Sequence, residues 1–414
     1  MISLFSYFPL IPHGYQRTTL TLVLITIIVC LWANYSLYYV KYSEIVFICI
    51  SVFMIISCKG VLSDHLYMHT AIFGVATIFV YIGTTLLMHG EQPSVGISFE
   101  LLFAMFILNM KDIYRGWLFN QFVSIFAILL ALCLVEFVLS SYFGISYIRG
   151  GEIYRFEGNY HYYYQGLLNI FPHYYSTGIA RFQAFTEEPG LVGTLCAFLV
   201  ATTEFRTHKW QVVVFVMSGV LSLSLAFYIL FSVWGMFQLM MLRKFKYSIL
   251  IGFVFSAFVF VFYSEFSDSI VNRIDQISYQ EIDNRTTEEF ETAYQDMIRS
   301  DNAFFGVGLR NYVSKFGQGT GNAGVKPFIY SYGFVSLAII ALCIYLVFFR
   351  VNEKSYKSMV VLLILFLSIY QRVNWTAPYY IITLFAFGAY DKFLLQHSEN
   401  NSCKKIQGGS KSCE

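Results

Sequence analysis

Residues 210–242 read WQVVVFVMSGVLSLSLAFYILFSVWGMFQLMML, with no Asp, Glu, Lys or Arg in the run. Such a stretch belongs in lipid, but about 33 residues at 1.5 Å each extend roughly 50 Å, well beyond a hydrocarbon core of about 30 Å. Ser222-Leu223-Ser224 near its middle is the natural place for a tight turn, which makes two crossings of it. Whether the run is one span or two sets the parity of the whole chain, and so the side on which every later loop falls.

Working outward, apolar segments recur at roughly 18–39, 44–59, 67–88, 96–110 and 117–142, then 188–204, 210–222, 224–242 and 247–264, and finally 327–349, 357–371 and 376–392. Twelve segments predict an all-α integral membrane protein of about 12 transmembrane helices. Lys and Arg concentrate on the cytoplasmic side of membrane proteins. An inside N-terminus places Lys59, Lys111, Arg115, Arg206, Lys209, Arg243, Lys244, Lys246, Arg350, Lys354 and Lys357 inside with the tail lysines, and leaves short outer loops with only Lys41 and Arg372. Merging 210–242 into one span would put Arg243–Lys246 on the wrong side. Both termini are therefore expected in the cytoplasm.

The organisation that follows is helices 1–5 over 1–142, a first large outer loop over 143–187, helices 6–9 over 188–264, a second large outer loop over 265–326, helices 10–12 over 327–392 and a polar tail over 393–414. Of 414 residues, 57% are hydrophobic and 13% charged, where soluble domains carry about 25% charged. A soluble enzyme, a disordered chain and a coiled coil are excluded on that ground. A net charge of +2 argues against nucleic acid as a partner. Neither large loop holds a cysteine. Cys30, Cys49, Cys58, Cys133, Cys196 and Cys343 fall in spans and read as small core hydrophobes. No cleavable signal peptide is expected, since Met1–Arg17 lacks a basic start and no small-residue cleavage site follows the first apolar run.

The first large loop is dense in aromatics: Tyr147, Tyr154, Phe156, Tyr160, Tyr162, Tyr163, Tyr164, Phe171, Tyr174 and Tyr175. Such residues suit an interfacial belt, and equally a cleft in which rings stack on sugar faces. It ends on Arg181-Phe182-Gln183-Ala184-Phe185-Thr186-Glu187-Glu188-Pro189-Gly190. Pro189 fits the first turn of the next helix, with Glu188 beside its positive end. In the second large loop, Thr286 with Glu289 fits a capping box. Phe290, Tyr294, Met297 and Ile298 then mark one helix face, with a stop near Ser300–Asn302. The Gly306-Val307-Gly308 turn that follows lacks the third glycine of a dinucleotide site, and no P-loop motif is present.

The stretch Arg181 … Glu188-Pro189 resembles the R-F-x-G-x-x-x-E-P signature of Wzy-type O-antigen polymerases, with Ala184 where the pattern has glycine. Asn284–Tyr312 resembles their second periplasmic loop: an arginine, an amphipathic helix and a G-x-G turn. The related O-antigen ligases carry a histidine upstream of a glycine matching Gly333, where this chain has Asn322-Ala323. That favours polymerase over ligase.

The resemblance implies a fold like that of the GT-C membrane glycosyltransferases. It implies polymerisation of undecaprenyl-diphosphate-linked oligosaccharide repeat units at the periplasmic face of a bacterial inner membrane. No D-x-D triplet occurs in the outer loops and no H-E-x-x-H anywhere, so a metal-independent reaction without a cofactor is expected. A separate chain-length-regulating co-polymerase is the implied partner, beside membrane lipid. The leaving diphosphate gathers negative charge, which suits the planar, permanently charged fork of arginine. Arg181, Arg310 and Glu188 are the expected catalytic residues. Arg285, Arg155, Lys326, Asn311, Asn322 and Glu187 are expected to bind diphosphate or sugar. Glu100 and Glu136 are intramembrane candidates, since ionisable groups inside spans usually face the bundle interior. A ligase, or a flippase moving the same lipid-linked units, is the alternative.

Overall fold

The computed structural model describes residues 62–63, 67–91, 95–143, 149–155, 161–165, 169–172, 181–186, 188–203, 208–241, 287–317, 324–371 and 377–390. The expected spans at 18–39, 44–59 and 247–264 lie outside these, as do Glu187, Arg285, Asn322 and the tail.

The described chain is mostly helical. Helix α1 (Met68–Thr77) runs on as a π-helical segment, Ile78–Met88. Thr77 Oγ1 donates back to the Phe73 carbonyl at 2.6 Å, and Thr84 and Thr85 do the same to Val80 and Tyr81. Hydroxyls bonding back to the preceding turn loosen a helix where it changes pitch. Helices α2 (Val95–Leu108) and α3 (Asp112–Phe143) follow, joined by a sharp corner. Then come α4 (Pro189–Thr202), α5 (Lys209–Leu221) and α6 (Leu225–Met241). The second long loop folds into α7 (Glu288–Ile298), α8 (Asn302–Phe305) and α9 (Leu309–Phe316). The chain continues into α10 (Val325–Val351), α11 (Tyr356–Gln371) and α12, residues 378–390. Among the described residues, three helical stretches, Thr70–Met88, Asp112–Ser141 and Val325–Val351, are long and apolar enough to cross a membrane.

The uncharged run at 210–242 is two helices, α5 and α6, broken at Ser222–Ser224. Leu223 takes φ 48 there, and Ser222 Oγ donates to the Gly219 carbonyl at 2.6 Å. Helix α4 packs against both arms of this pair and against α11. Every residue from Leu191 to Thr202 is buried. A helix apolar on all sides belongs at the centre of a bundle, and Gly193 lets it approach closely: a Cβ there would lie 2.7 Å from Ser224 Cβ.

Contacts sort the connections into two ends. Leu62 bridges to Met110, and Ser63 N donates to the Asn109 carbonyl, so the start of α1 lies beside the α2–α3 corner. His208 Nε2 donates to Asn120 Oδ1 at 3.1 Å, and its ring lies 5.1 Å from that of Tyr390. Asn352 bonds Leu384 and Gly388 at that same end. The end of the π-segment, the end of α3 and the α5–α6 turn lie at the other end. Phe182, just before α4, meets Phe137 of α3 there with ring centroids 5.3 Å apart. The two long loops emerge at this loop end.

The first long loop corrects the all-helical expectation. Strands β1 (Arg149–Arg155), β2 (His161–Gln165) and β3 (Ile170–Pro172) form an antiparallel sheet in that order. Tyr154 pairs with Tyr162, Ile153 with Tyr163, and Tyr164 with both Glu152 and Phe171. Tyr, Phe and Ile favour the pleated backbone. Three consecutive tyrosines give no alternation, which hid the strand. A smaller correction concerns α7: its cap is Thr287, whose Oγ1 accepts from Phe290 N at 3.3 Å, rather than Thr286 with Glu289. The expected stop near Ser300–Asn302 is met: α7 ends at Ile298 with Arg299 as its C-cap, and α8 starts at Asn302.

Phe290, Ala293, Tyr294 and Met297 of α7 are buried with Phe316, Ile329 and Tyr330 in a small aromatic core of their own, fixing the second loop on the first turns of α10. Burial of a side chain such as Phe290 contributes about 2–3 kcal/mol.

Candidate functional site

Helix α10 breaks at Gly333, which takes φ 79 and ψ 171. At this break the carbonyls of Tyr330 and Ser331 accept from Val307 N at 2.8 Å and Gly308 N at 3.1 Å. The G-x-G turn is thus docked on a gap in the helix. The fit is close: a Cβ on Gly333 would stand 2.1 Å from the Phe304 carbonyl oxygen, and one on Gly306 would stand 2.5 Å from that of Ser331.

The end of the π-segment closes on the same turn. His89 Nε2 donates to the Phe305 carbonyl at 3.1 Å, so the proton sits on that nitrogen. Glu91, 7% exposed, accepts from Arg310 N through Oε2 at 2.9 Å. Its Oε1 lies so near Gly308 that a Cβ there would come within 2.5 Å. Arg310 is in the first turn of α9, where a carboxylate is favoured by the helix dipole. Its own side chain is exposed. Asn311 is exposed too, and its Nδ2 donates to the Val307 carbonyl at 2.7 Å. Lys326, at the start of α10, pairs with Glu291 Oε2 at 2.7 Å and lies 5.5 Å from the Tyr294 ring centroid. Below, Tyr81 of the π-segment meets Tyr332 and Phe328 edge-on at 5.4 and 6.3 Å. The exposed Arg310 guanidinium is the group here that can hold an anion.

Arg181 and Glu188 form a second group, at the α5–α6 turn. Arg181 donates from Nε to the Ser222 carbonyl at 3.3 Å and from Nη2 to that of Leu223 at 3.1 Å. Phe182 N donates to the Leu221 carbonyl at 2.9 Å. The guanidinium therefore caps the carbonyls that the break in the apolar run leaves exposed. Glu188 is the N-cap of α4, with extended backbone and no side-chain bond into the helix, and Pro189 opens the first turn. Ala184, buried, takes φ 51.

Glu136 is buried near the loop end of α3, where Oε2 accepts from Asn169 N at 2.9 Å and Asn169 Nδ2 at 3.1 Å. It anchors the start of β3 to the bundle. Glu100 lies half-buried on α2, and Arg155 lies on β1 opposite His161. Glu187, Arg285 and Asn322 fall outside the described residues.

The sequence points to Arg181, Glu188, Arg310, Asn311 and Lys326 as one site; the structure holds Arg310, Asn311 and Lys326 in one neighbourhood and Arg181 and Glu188 in another. Sequence reasoning missed Glu91, His89 and Gly333. A signal existed for Glu91: it is a carboxylate just past the apolar run ending at Met88, in a short connection on the loop side. Compared with known proteins, the chain matches no family model, no curated protein and no solved structure.

Proposed function

We propose that this chain is a Wzy-type membrane glycosyltransferase that joins oligosaccharide repeat units carried on undecaprenyl diphosphate, with twelve crossings, both termini cytoplasmic and the loop end facing the periplasm. What supports the reading is that two groups, Arg181 with Glu188 and Arg310 with Asn311, lie separately on the loop end of the bundle. Ala184 adds support. It stands where the polymerase pattern has glycine, and its φ of 51 is a conformation that glycine adopts most readily.

In this reading an acceptor sugar hydroxyl attacks the anomeric carbon of the growing glycan. The new C–O bond forms as the bond to diphosphate breaks, and the electron pair leaves with the diphosphate. Arg310, exposed and permanently charged, meets that growing charge in a bidentate grip. A diphosphate leaves without a proton, so no general acid is required. The hydroxyl proton passes to a carboxylate, for which Glu188 is suited by type and by its place at the head of α4. Membrane lipid supplies the surroundings of the polyprenyl chain, and a co-polymerase in the same membrane sets chain length.

The test is the surface glycan profile of a deletion strain complemented with variants. A polymerase defect leaves lipid A capped by a single repeat unit, whereas loss of a flippase leaves none. Arg310→Ala, Glu188→Ala and Arg181→Ala are expected to remove the long-chain ladder with protein still present in the membrane. Wild-type ladders from all three variants would sink the assignment.

A further inference from the structure

We propose that Glu91 is a positioning residue that sets the aim of Arg310, a role that rests on the reading of Arg310 as the diphosphate-binding arginine. A helix leaves its first four N–H groups without partners inside the helix. Helix α9 has eight residues and its N-cap is Gly308, which has no side chain to accept from them. A helix this short does not hold itself together in water. The missing cap comes from 219 residues away in sequence, where Glu91 Oε2 accepts from Arg310 N at 2.9 Å.

The carboxylate is itself held. Glu91 N donates to the Thr85 carbonyl at 2.9 Å, in the π-helical turn. His89, two residues earlier, bonds the Phe305 carbonyl on the other side of the G-x-G turn. The two side chains thus grip the turn from both flanks, and the lack of a side chain on Gly308 leaves room for Glu91 to reach the backbone. A buried, charge-assisted bond fixes the first turn of α9 and the direction in which the Arg310 side chain departs. Displacement of a charge-stabilising group by about 1 Å can cost a hundredfold in rate.

The experiment measures turnover of the lipid-diphosphate-linked repeat unit, isolated from a polymerase-deficient strain, by the purified full-length protein. Glu91→Ala is expected to lower kcat by roughly tenfold or more with little change in KM, since the lost stabilisation belongs to the transition state. Glu91→Gln keeps an acceptor oxygen at the same reach and is expected to remain within about threefold of wild type. Glu91→Asp, a second shortened variant, should fall toward Glu91→Ala although it keeps the charge.

If Glu91 acts through Arg310, adding Glu91→Ala to Arg310→Lys slows turnover little further. Losses that multiply, or a Glu91→Gln enzyme as slow as Glu91→Ala, overturn the positioning role and leave the reading of Arg310 standing. Wild-type turnover by Arg310→Lys and Arg310→Ala instead removes Arg310 from the reaction, and the parent reading fails together with this one. Hydrogen exchange supplies the structural half: the amides of α9 are expected to lose protection in Glu91→Ala and keep it in Glu91→Gln. Equal protection in both variants overturns the capping role.

Discussion

Gly333→Ala is the most severe small change that the fold can be given near the candidate site. At φ 79 and ψ 171 the residue occupies a region of backbone space essentially reserved for glycine, and any other residue there costs about 1–3 kcal/mol. The new Cβ would also stand 2.1 Å from the Phe304 oxygen, 2.4 Å from its carbon and 2.5 Å from Phe305 N. These are backbone atoms and cannot swing aside. The segment from Phe304 to Gly308 must move off α10, which breaks the bonds from Val307 N to Tyr330 and from Gly308 N to Ser331. At about 1 kcal/mol each, these losses bring the total to about 3–5 kcal/mol.

Thermal unfolding of the purified protein in detergent reads this directly, with an expected fall in Tm of about 3–6 °C for a chain of 414 residues. Gly235→Ala is the matched control, because a Cβ at Gly235 on α6 has nothing within 4 Å. It is expected to hold or slightly raise Tm, since alanine is favoured over glycine within a helix by about 1 kcal/mol. Gly306→Ala meets the same contact from the other side, so combining it with Gly333→Ala should cost less than the sum of the two. A Gly333→Ala protein that melts with wild type, or in step with Gly235→Ala, refutes the docked-turn account.

Three further predictions rest on independent observations. Asn169→Ala removes the Nδ2 bonds to Glu136 and to the Cys133 carbonyl, and is expected to lower stability by about 1–3 kcal/mol in the same unfolding assay; an unchanged Tm would show that this anchor of β3 carries no weight. Ala184→Gly is expected to stay within about 1 kcal/mol of wild type, because relief at φ 51 offsets the loss of a buried methyl. Ala184→Val should lose several times that, and equal melting of the two would refute the left-handed assignment. Burial, with Lys357 nearby, pushes His208 down to about 4, so it is neutral in the folded protein at neutral pH. The unfolded chain gains a proton below about 6.5, so stability should fall as pH drops from there to about 4, by up to about 3 kcal/mol. His208→Gln should flatten that fall, and a profile identical to wild type would refute the assignment.

What could be read from the sequence follows the range of the interaction behind each feature. The break at Ser222–Ser224 was legible because an uncharged run of that length has no other way to fit a bilayer. The inward face of α7 was legible because Phe290, Tyr294 and Met297 keep helical spacing. The cap slipped by one residue because Thr286 and Thr287 are chemically equivalent, and only the side on which Phe290 packs decides between them. The sheet was hidden by aromatics without alternation. Gly333 was hidden because one glycine in an apolar helix is ordinary, and its need is set by Phe304, brought up through a separate loop. Glu91 was hidden for the same reason, since its partner is 219 residues away.

The two arginines that the sequence treats alike then separate on their hydrogen bonds. Arg181 gives Nε and an Nη2 hydrogen to the Ser222 and Leu223 carbonyls, so at most three of its five N–H groups remain for anything else. Arg310 is held by its backbone N–H instead, and its guanidinium is exposed. A planar two-pronged grip on a diphosphate uses two parallel N–H groups, which Arg310 can offer without disturbing the fold. Lysine at 181 has no Nε with which to bridge both carbonyls, so Arg181→Lys acts first on the α5–α6 turn, whereas Arg310→Lys acts first on the substrate. The same conservative change thus separates a fold-holding arginine from a ligand-holding one: the former shows in Tm, the latter in turnover at unchanged Tm.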